Sequence, residues 1–272
     1  MSTIVLAHGV LGFGDLLPSF LPAVHYFNGV RKHLENQGHK VIAPQVATVG
    51  SVRKRGDELA EILREAGSGG PLHIIAHSMG GLDARHAITN RKDIVHGVKT
   101  LVTIGTPHRG SPVADAVVDP GNPLFNKIPR FLVEQLKANA EALSDLTTKA
   151  GIPFDESTGD VAGVSYIEVA GDASQDGDGL LLFDLAAEIG NITKETTNDG
   201  VVTKSSALRQ VKGHQHLANW PVDHAGEIGW SKGSPVPIEP GLSRLPLADK
   251  LLSAAAKAHL ARYDAIVALL SD

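Results

Sequence analysis

Short apolar runs alternate with helix-period segments along this 272-residue chain, and few folds accept that alternation. Thr3–His8, Val41–Ala43, Leu72–Ala76, Val98–Ile104 and Val164–Ala170 read as buried strands. Between them, Gly29–Gln37 and Arg53–Glu65 read as helices. Gly38 suits the left-handed cap of the first. In the second, Leu59, Ile62, Leu63 and Ala66 share one face. A long amphipathic helix is expected over Leu247–Leu270. Strands joined by helical crossovers predict an α/β fold, a mostly parallel central sheet flanked by helices. The length fits one domain over 1–272. About sixty residues separate the fourth and fifth strands, more than a crossover needs. Residues 112–160, with turns followed by a helical stretch at Phe131–Thr147, are expected to form a helical lid or cap inserted in that domain.

Composition narrows the function. The net charge of −5 is mild, and no basic stripe suggests a nucleic-acid partner. Arg53-Lys54-Arg55 is expected to be a solvated helix start. With no cysteine, thiolate catalysis, disulfides and cysteine metal sites are excluded. That absence fits the cytosol and equally allows export. Met1-Ser2-Thr3 leads straight into an apolar strand, with no signal peptide visible, and no run is long enough for a transmembrane segment.

The segment Ala76-His77-Ser78-Met79-Gly80-Gly81 lies between a buried strand and a helix expected from Met79 to about Ile88. This strand–turn–helix resembles the nucleophile elbow of α/β-hydrolases, with Ala in place of the first Gly. Small residues at 76 and 80 would let the chain turn sharply and present the Ser78 hydroxyl at a helix N-terminus. A serine hydroxyl needs a histidine base, and the base needs an acid that fixes its tautomer. In this fold the acid and then the base follow the serine.

Asn198-Asp199-Gly200 offers an aspartate in a tight turn, with Asp172, Asp176, Asp178 and Asp184 as rivals. His214, His216, His224 and His259 follow Asp199. His259 falls in the C-terminal helix. His214 and His216 form an H-x-H pair with no evident third ligand and are expected to be exposed loop histidines. His224, in the loop-like Trp220–Gly226, is the favoured base. After the first strand, His8-Gly9-Val10-Leu11-Gly12 suits an oxyanion loop, so the backbone amides of Val10 and Met79 are the expected donors. No nucleotide-binding glycine pattern follows a strand.

Several segments together resemble the bacterial true lipases of the Pseudomonas–Burkholderia–Proteus group. They are His8–Gly14, Val24–Val30, Ala76–Gly81, Thr103-Ile104-Gly105-Thr106-Pro107-His108-Arg109-Gly110-Ser111, Asn198–Val202 and Asp223-His224. The likeness is good over residues 3–111, patchy through 112–190, and resumes to about 230. It implies a Ser78, Asp199 and His224 triad and a lipid ester substrate, long-chain acylglycerols above all. It also implies a lid that makes transient contact with a lipid interface. Phospholipase A, polyester depolymerase and acyltransferase activities are the alternatives on the same fold, and a non-catalytic binding module is the alternative from another class. Many members hold a structural calcium with an aspartate two residues after the histidine. Gly226 stands there in this chain, with Glu227 next to it, and Asp184 could match only the earlier ligand. No cofactor is therefore expected. The shortened 112–195 segment points toward shorter or bulkier esters.

Overall fold

The computed structural model describes residues 3–10, 26–47, 49–93, 95–174, 182–230 and 254–270. A parallel sheet forms the middle of the molecule. Its strands are β1 (Thr3–Ala7), β2 (Lys40–Ile42), β3 (Leu72–His77), β4 (Val98–Ile104), β5 (Ser165–Val169) and β6 (Gln215–His216). Among the described residues they lie in the order β2-β1-β3-β4-β5-β6. Every pairing is parallel. β3 is buried throughout because both of its faces are covered.

The crossover helices are α1 (Val30–Asn36), α2 (Val52–Gly67) and α3 (Met79–Asn90). α2 buries Leu59, Ala60 and Leu63, while Ser51 caps it by accepting from Lys54 N. The insertion after β4 contains α4 (Pro112–Val118), α5 (Arg130–Lys137), α6 (Ala140–Asp145) and α7 (Thr148–Ser157). The helical stretch expected at 131–147 is thus two helices, parted at Ala138 and Asn139. Three further helices follow: α8 (Phe183–Thr193), α9 (Lys204–Ala207) and α10 (Ala254–Val267). Residues 247–253 of the expected last helix lie outside the described residues. No described helix is long and apolar enough to cross a membrane.

The insertion is fastened to the core at α6, among other places. Gly50 N donates to Asn139 Oδ1 at 3.1 Å, Ser51 N to Glu141 Oε2 at 3.1 Å and Val52 N to Asp145 Oδ2 at 2.7 Å. Side chains at and within α6 thereby satisfy backbone donors around the start of α2. Arg55 corrects the expectation of a solvated basic run. Arg53 and Lys54 are exposed, but Arg55 is fully buried. Its guanidinium donates to Asp83 Oδ2 at 2.8 Å, Ala47 O at 2.6 Å and His8 O at 2.8 Å. A charge can be buried here because each arm of its fork finds an acceptor.

Candidate active site

Ser78 sits between β3 and α3 with φ 55° and ψ −134°. A non-glycine residue at positive φ is strained, and such strain gathers at functional sites. The surrounding backbone holds it: Ser78 N donates to Ile104 O at 2.9 Å and Gly81 N to Ser78 O at 3.0 Å. Its side chain makes no capping hydrogen bond, so the hydroxyl is not spent on the helix end. Glycine is needed at 80 for a reason other than packing against Ala76. A Cβ there would stand 2.5 Å from Ala7 O and 2.7 Å from His8 O, so the helix start runs against the end of β1.

Asp199 and His224 meet from separate loops. His224 Nδ1 lies 2.7 Å from Asp199 Oδ2, and His224 N donates to Asp199 O at 2.9 Å. Asp199 Oδ1 accepts from Val201 N at 2.8 Å and Val202 N at 2.6 Å. The positive φ of Gly200, 84°, shapes that turn. Both side chains are fully buried. His224 Nε2 is buried with no hydrogen-bond partner among the described residues, Ser78 Oγ included. The imidazole therefore has one nitrogen engaged by carboxylate and the other open.

Gly9 passes against the serine. A Cβ on it would stand 2.8 Å from Ser78 Cβ and 3.2 Å from Ser78 Oγ, which leaves glycine as the fit. Val10 follows it, and Met79 begins α3, fully buried. Both pack with an apolar cluster containing Val113, Leu132, Leu136 and Leu143 of the insertion helices. Residues 11–14 of the expected oxyanion loop lie outside the described residues.

A second carboxylate enters the site unforeseen. Glu227 is fully buried, with Oε2 3.0 Å from His77 Nε2 and 3.4 Å from His224 Nδ1. Glycines make room for it. A Cβ on Gly105 would overlap the Glu227 carboxylate, and one on Gly171 would stand 2.7 Å from both Asp199 Cβ and Glu227 Oε1. Burial pushes the Glu227 carboxyl up to about 8, and the charge of Asp199 adds to the rise. Burial alone would lower His224. Asp199 first and Glu227 after it outweigh that, and the imidazole is raised to about 10. Glu227 and His224 therefore titrate as one pair that shares its protons, each group holding on above its ordinary range.

The rival residues have other partners. Asp172 accepts from Ser174 N and Oγ. Asp184 is exposed in the first turn of α8. Asp176 and Asp178 lie outside the described residues. His259 is buried, its Nε2 3.1 Å from Asn28 O. The H-x-H pair is not two free loop histidines. His214 has a side chain only 3 % exposed, between Glu168 Oε1 at 2.8 Å and Asp160 Oδ2 at 2.8 Å. His216 lies 3.1 Å from Glu168 Oε2. Sequence alone did not bring the buried Glu168, on β5, to that pair.

The described residues do not fit a calcium site of the type the resemblance implies. Gly226 has no carboxylate, and its N–H donates to Asp223 Oδ1 at 2.7 Å. Asp223 Oδ2 accepts from Leu182 N at 2.8 Å, which ties the histidine loop to the start of α8. Glu227 faces two imidazoles. His77, His224 and Glu227 form the one group of three close potential ligands among the described residues. It offers two nitrogens and one carboxylate, whereas calcium takes six to eight oxygens.

A family model described as a PGAP1-like alpha/beta domain matches residues 66–172. Triacylglycerol lipase 2 of Saccharomyces cerevisiae is 40 % identical over 119 residues, 41 % of this chain and 35 % of that protein. A triacylglycerol lipase of Vibrio cholerae is 33 % identical over 146 residues, 52 % of this chain and 44 % of that protein. The matches therefore span less than half the length of either relative. A crystal structure of a metagenomic carboxyl esterase superposes with a TM-score of 0.70 at 18 % identity, over 98 % of this chain and 74 % of that one. Parallel sheet, crossover helices and superposition agree: this chain has the α/β-hydrolase fold.

Proposed function

We propose that the chain is a serine carboxylic-ester hydrolase acting on lipid esters, with Ser78 as nucleophile, His224 as base and Asp199 as acid. One observation carries the reading. A serine at strained φ, with its hydroxyl unspent on capping, follows His77, whose ring lies 4.5 Å from a buried imidazole that is bonded to Asp199 on one side and has no partner on the other among the described residues. The partial likeness to triacylglycerol lipases supports acylglycerols as substrate, and the sequence motifs favour the Pseudomonas–Burkholderia–Proteus group.

Ser78 Oγ attacks the ester carbonyl as His224 Nε2 takes its proton. The carbonyl oxygen becomes an oxyanion, held by the amides of Val10 and Met79; each such donor is worth about 3 kcal/mol in the transition state. The alcohol departs with the proton from His224, leaving an acyl-enzyme. Water then attacks that acyl group, and His224 takes the water's proton and returns one to Ser78 Oγ. His224 acts as base only while neutral. No cofactor is required by these steps. Within the insertion, α6 is pinned to α2, so lid movement and lipid contact belong to the segment through α5, residues 119–137.

Ser78→Ala tests the assignment. Its kcat on p-nitrophenyl esters is expected to fall by about a millionfold with folding intact. Retained activity would remove Ser78 from the mechanism. Chain-length profiling with p-nitrophenyl esters, emulsified triglyceride and phospholipid identifies the substrate; preference for phospholipid or polyester would replace the lipase reading by another acyl-transfer activity.

A further inference from the structure

Behind the triad runs a buried chain of hydrogen bonds, closed by a carboxylate–imidazole contact, that the steps above do not use. Tyr26 OH lies 2.7 Å from His77 Nδ1, and the same hydroxyl sits against Gly9, where an added Cβ would stand 2.7 Å from it. His77 Nε2 lies 3.0 Å from Glu227 Oε2, which in turn lies 3.4 Å from His224 Nδ1. The His77 and His224 rings are 4.5 Å apart between centroids. The partners set the donor directions. The Glu227 oxygen accepts at Nε2, so the neutral His77 imidazole carries its proton there and accepts from Tyr26 OH at Nδ1. Burial, with the charge of His224 beside it, keeps the His77 imidazole well below its ordinary range and therefore neutral, as this direction requires.

We propose that Tyr26 and His77 are positioning residues that couple the oxyanion loop to the catalytic base. One end of the chain holds Gly9, the residue before Val10, against Ser78. The other holds the Glu227 carboxylate beside His224. Arg55 grips the neighbouring carbonyl, His8 O, from the far side. The loop that receives the oxyanion and the imidazole that moves the proton are thus set by one rigid connection. Among the described residues, the other charged and titratable groups facing the chain are His8, Asp199, Asp223 and Arg55, with Arg262 and Tyr263 of α10. The inference rests on the Ser78–His224–Asp199 assignment.

The test is a double-mutant cycle on p-nitrophenyl butyrate with Tyr26→Phe, His77→Gln and both together. Each single variant is expected to lower kcat at least fivefold with KM within twofold. The double is expected to be no more than twofold slower than the worse single, because a connection cut once is already cut. In His77→Gln the acid limb of kcat/KM should also move to lower pH, since Glu227 has lost its imidazole donor. Wild-type kcat in Tyr26→Phe, or multiplying losses, overturns the proposal. If His77→Gln does not fold, the kcat of Tyr26→Phe decides alone. Ser78→Ala separates the two levels. An inactive Ser78→Ala beside an unimpaired Tyr26→Phe refutes the coupling alone, whereas an active Ser78→Ala refutes the triad and the coupling with it.

Discussion

Replacing Glu227 by glutamine removes a charge while keeping size and an acceptor for His77. Glu227 Oε2 lies 3.4 Å from His224 Nδ1, inside a fully buried cluster. Two unit charges at that distance interact by roughly 5 kcal/mol at an effective dielectric constant of about 20. That corresponds to about three and a half pH units. It is an upper bound, because Glu227 is itself raised to about 8 and carries only part of a charge near neutrality. The sign is fixed: losing a nearby anion destabilises the imidazolium, so His224 gives up its proton at lower pH. The assay is kcat/KM for a soluble p-nitrophenyl ester from pH 4 to 10. The acid limb of Glu227→Gln should lie about one to three pH units below that of the wild type. It should also follow a single ionisation, because the second seat for the shared proton is gone. An unchanged midpoint and shape would mean that the carboxylate does not act on the imidazole.

Three other outcomes follow from the geometry. Gly80→Ala drives a methyl group into the Ala7 and His8 carbonyls, and overpacking of this kind costs about 1–3 kcal/mol; chemical denaturation should show that loss together with a large fall in kcat. His259 is buried and lowered to about 4, chiefly by burial. Its contribution is therefore present above pH about 6.5 and lost as pH falls through about 4, up to about 1.4 kcal/mol per pH unit, so His259→Gln should flatten the fall in stability over that window, as read from urea midpoints. A calcium chelator should leave the melting temperature unchanged, since the described residues hold no calcium-type ligand set; a large drop would contradict this.

The parts of the fold and site legible in the sequence are those set by neighbouring residues. β3 and α3 show as an apolar run followed at once by a helical pattern, and the elbow lies between them because strand, turn and helix are contiguous. Asp199 showed itself through the turn chemistry of Gly200, and His224 through its loop, although their meeting required the resemblance. What stayed hidden depends on distant partners. Glu227 faces His77 across 150 positions, and only packing makes that carboxylate part of the site. Arg55 looked like one of three solvated cations until Asp83, 28 positions on, arrived beneath it. β6 has only two residues and exists because β5 offers an edge, so no local pattern announces it. The position of His77, directly before Ser78, was the signal that could have drawn attention to a buried polar chain.

The attachment of α6 to the start of α2 bears on how this scaffold can be remodelled. Asn139, Glu141 and Asp145 terminate a helix that belongs to the central layer, not to their own. A replacement insertion without these three would leave the amides of residues 50–52 without those acceptors. Such chimeras should exchange residues upstream of 138 and leave 139–145 native, so that a new entrance is built without loosening the wall behind it.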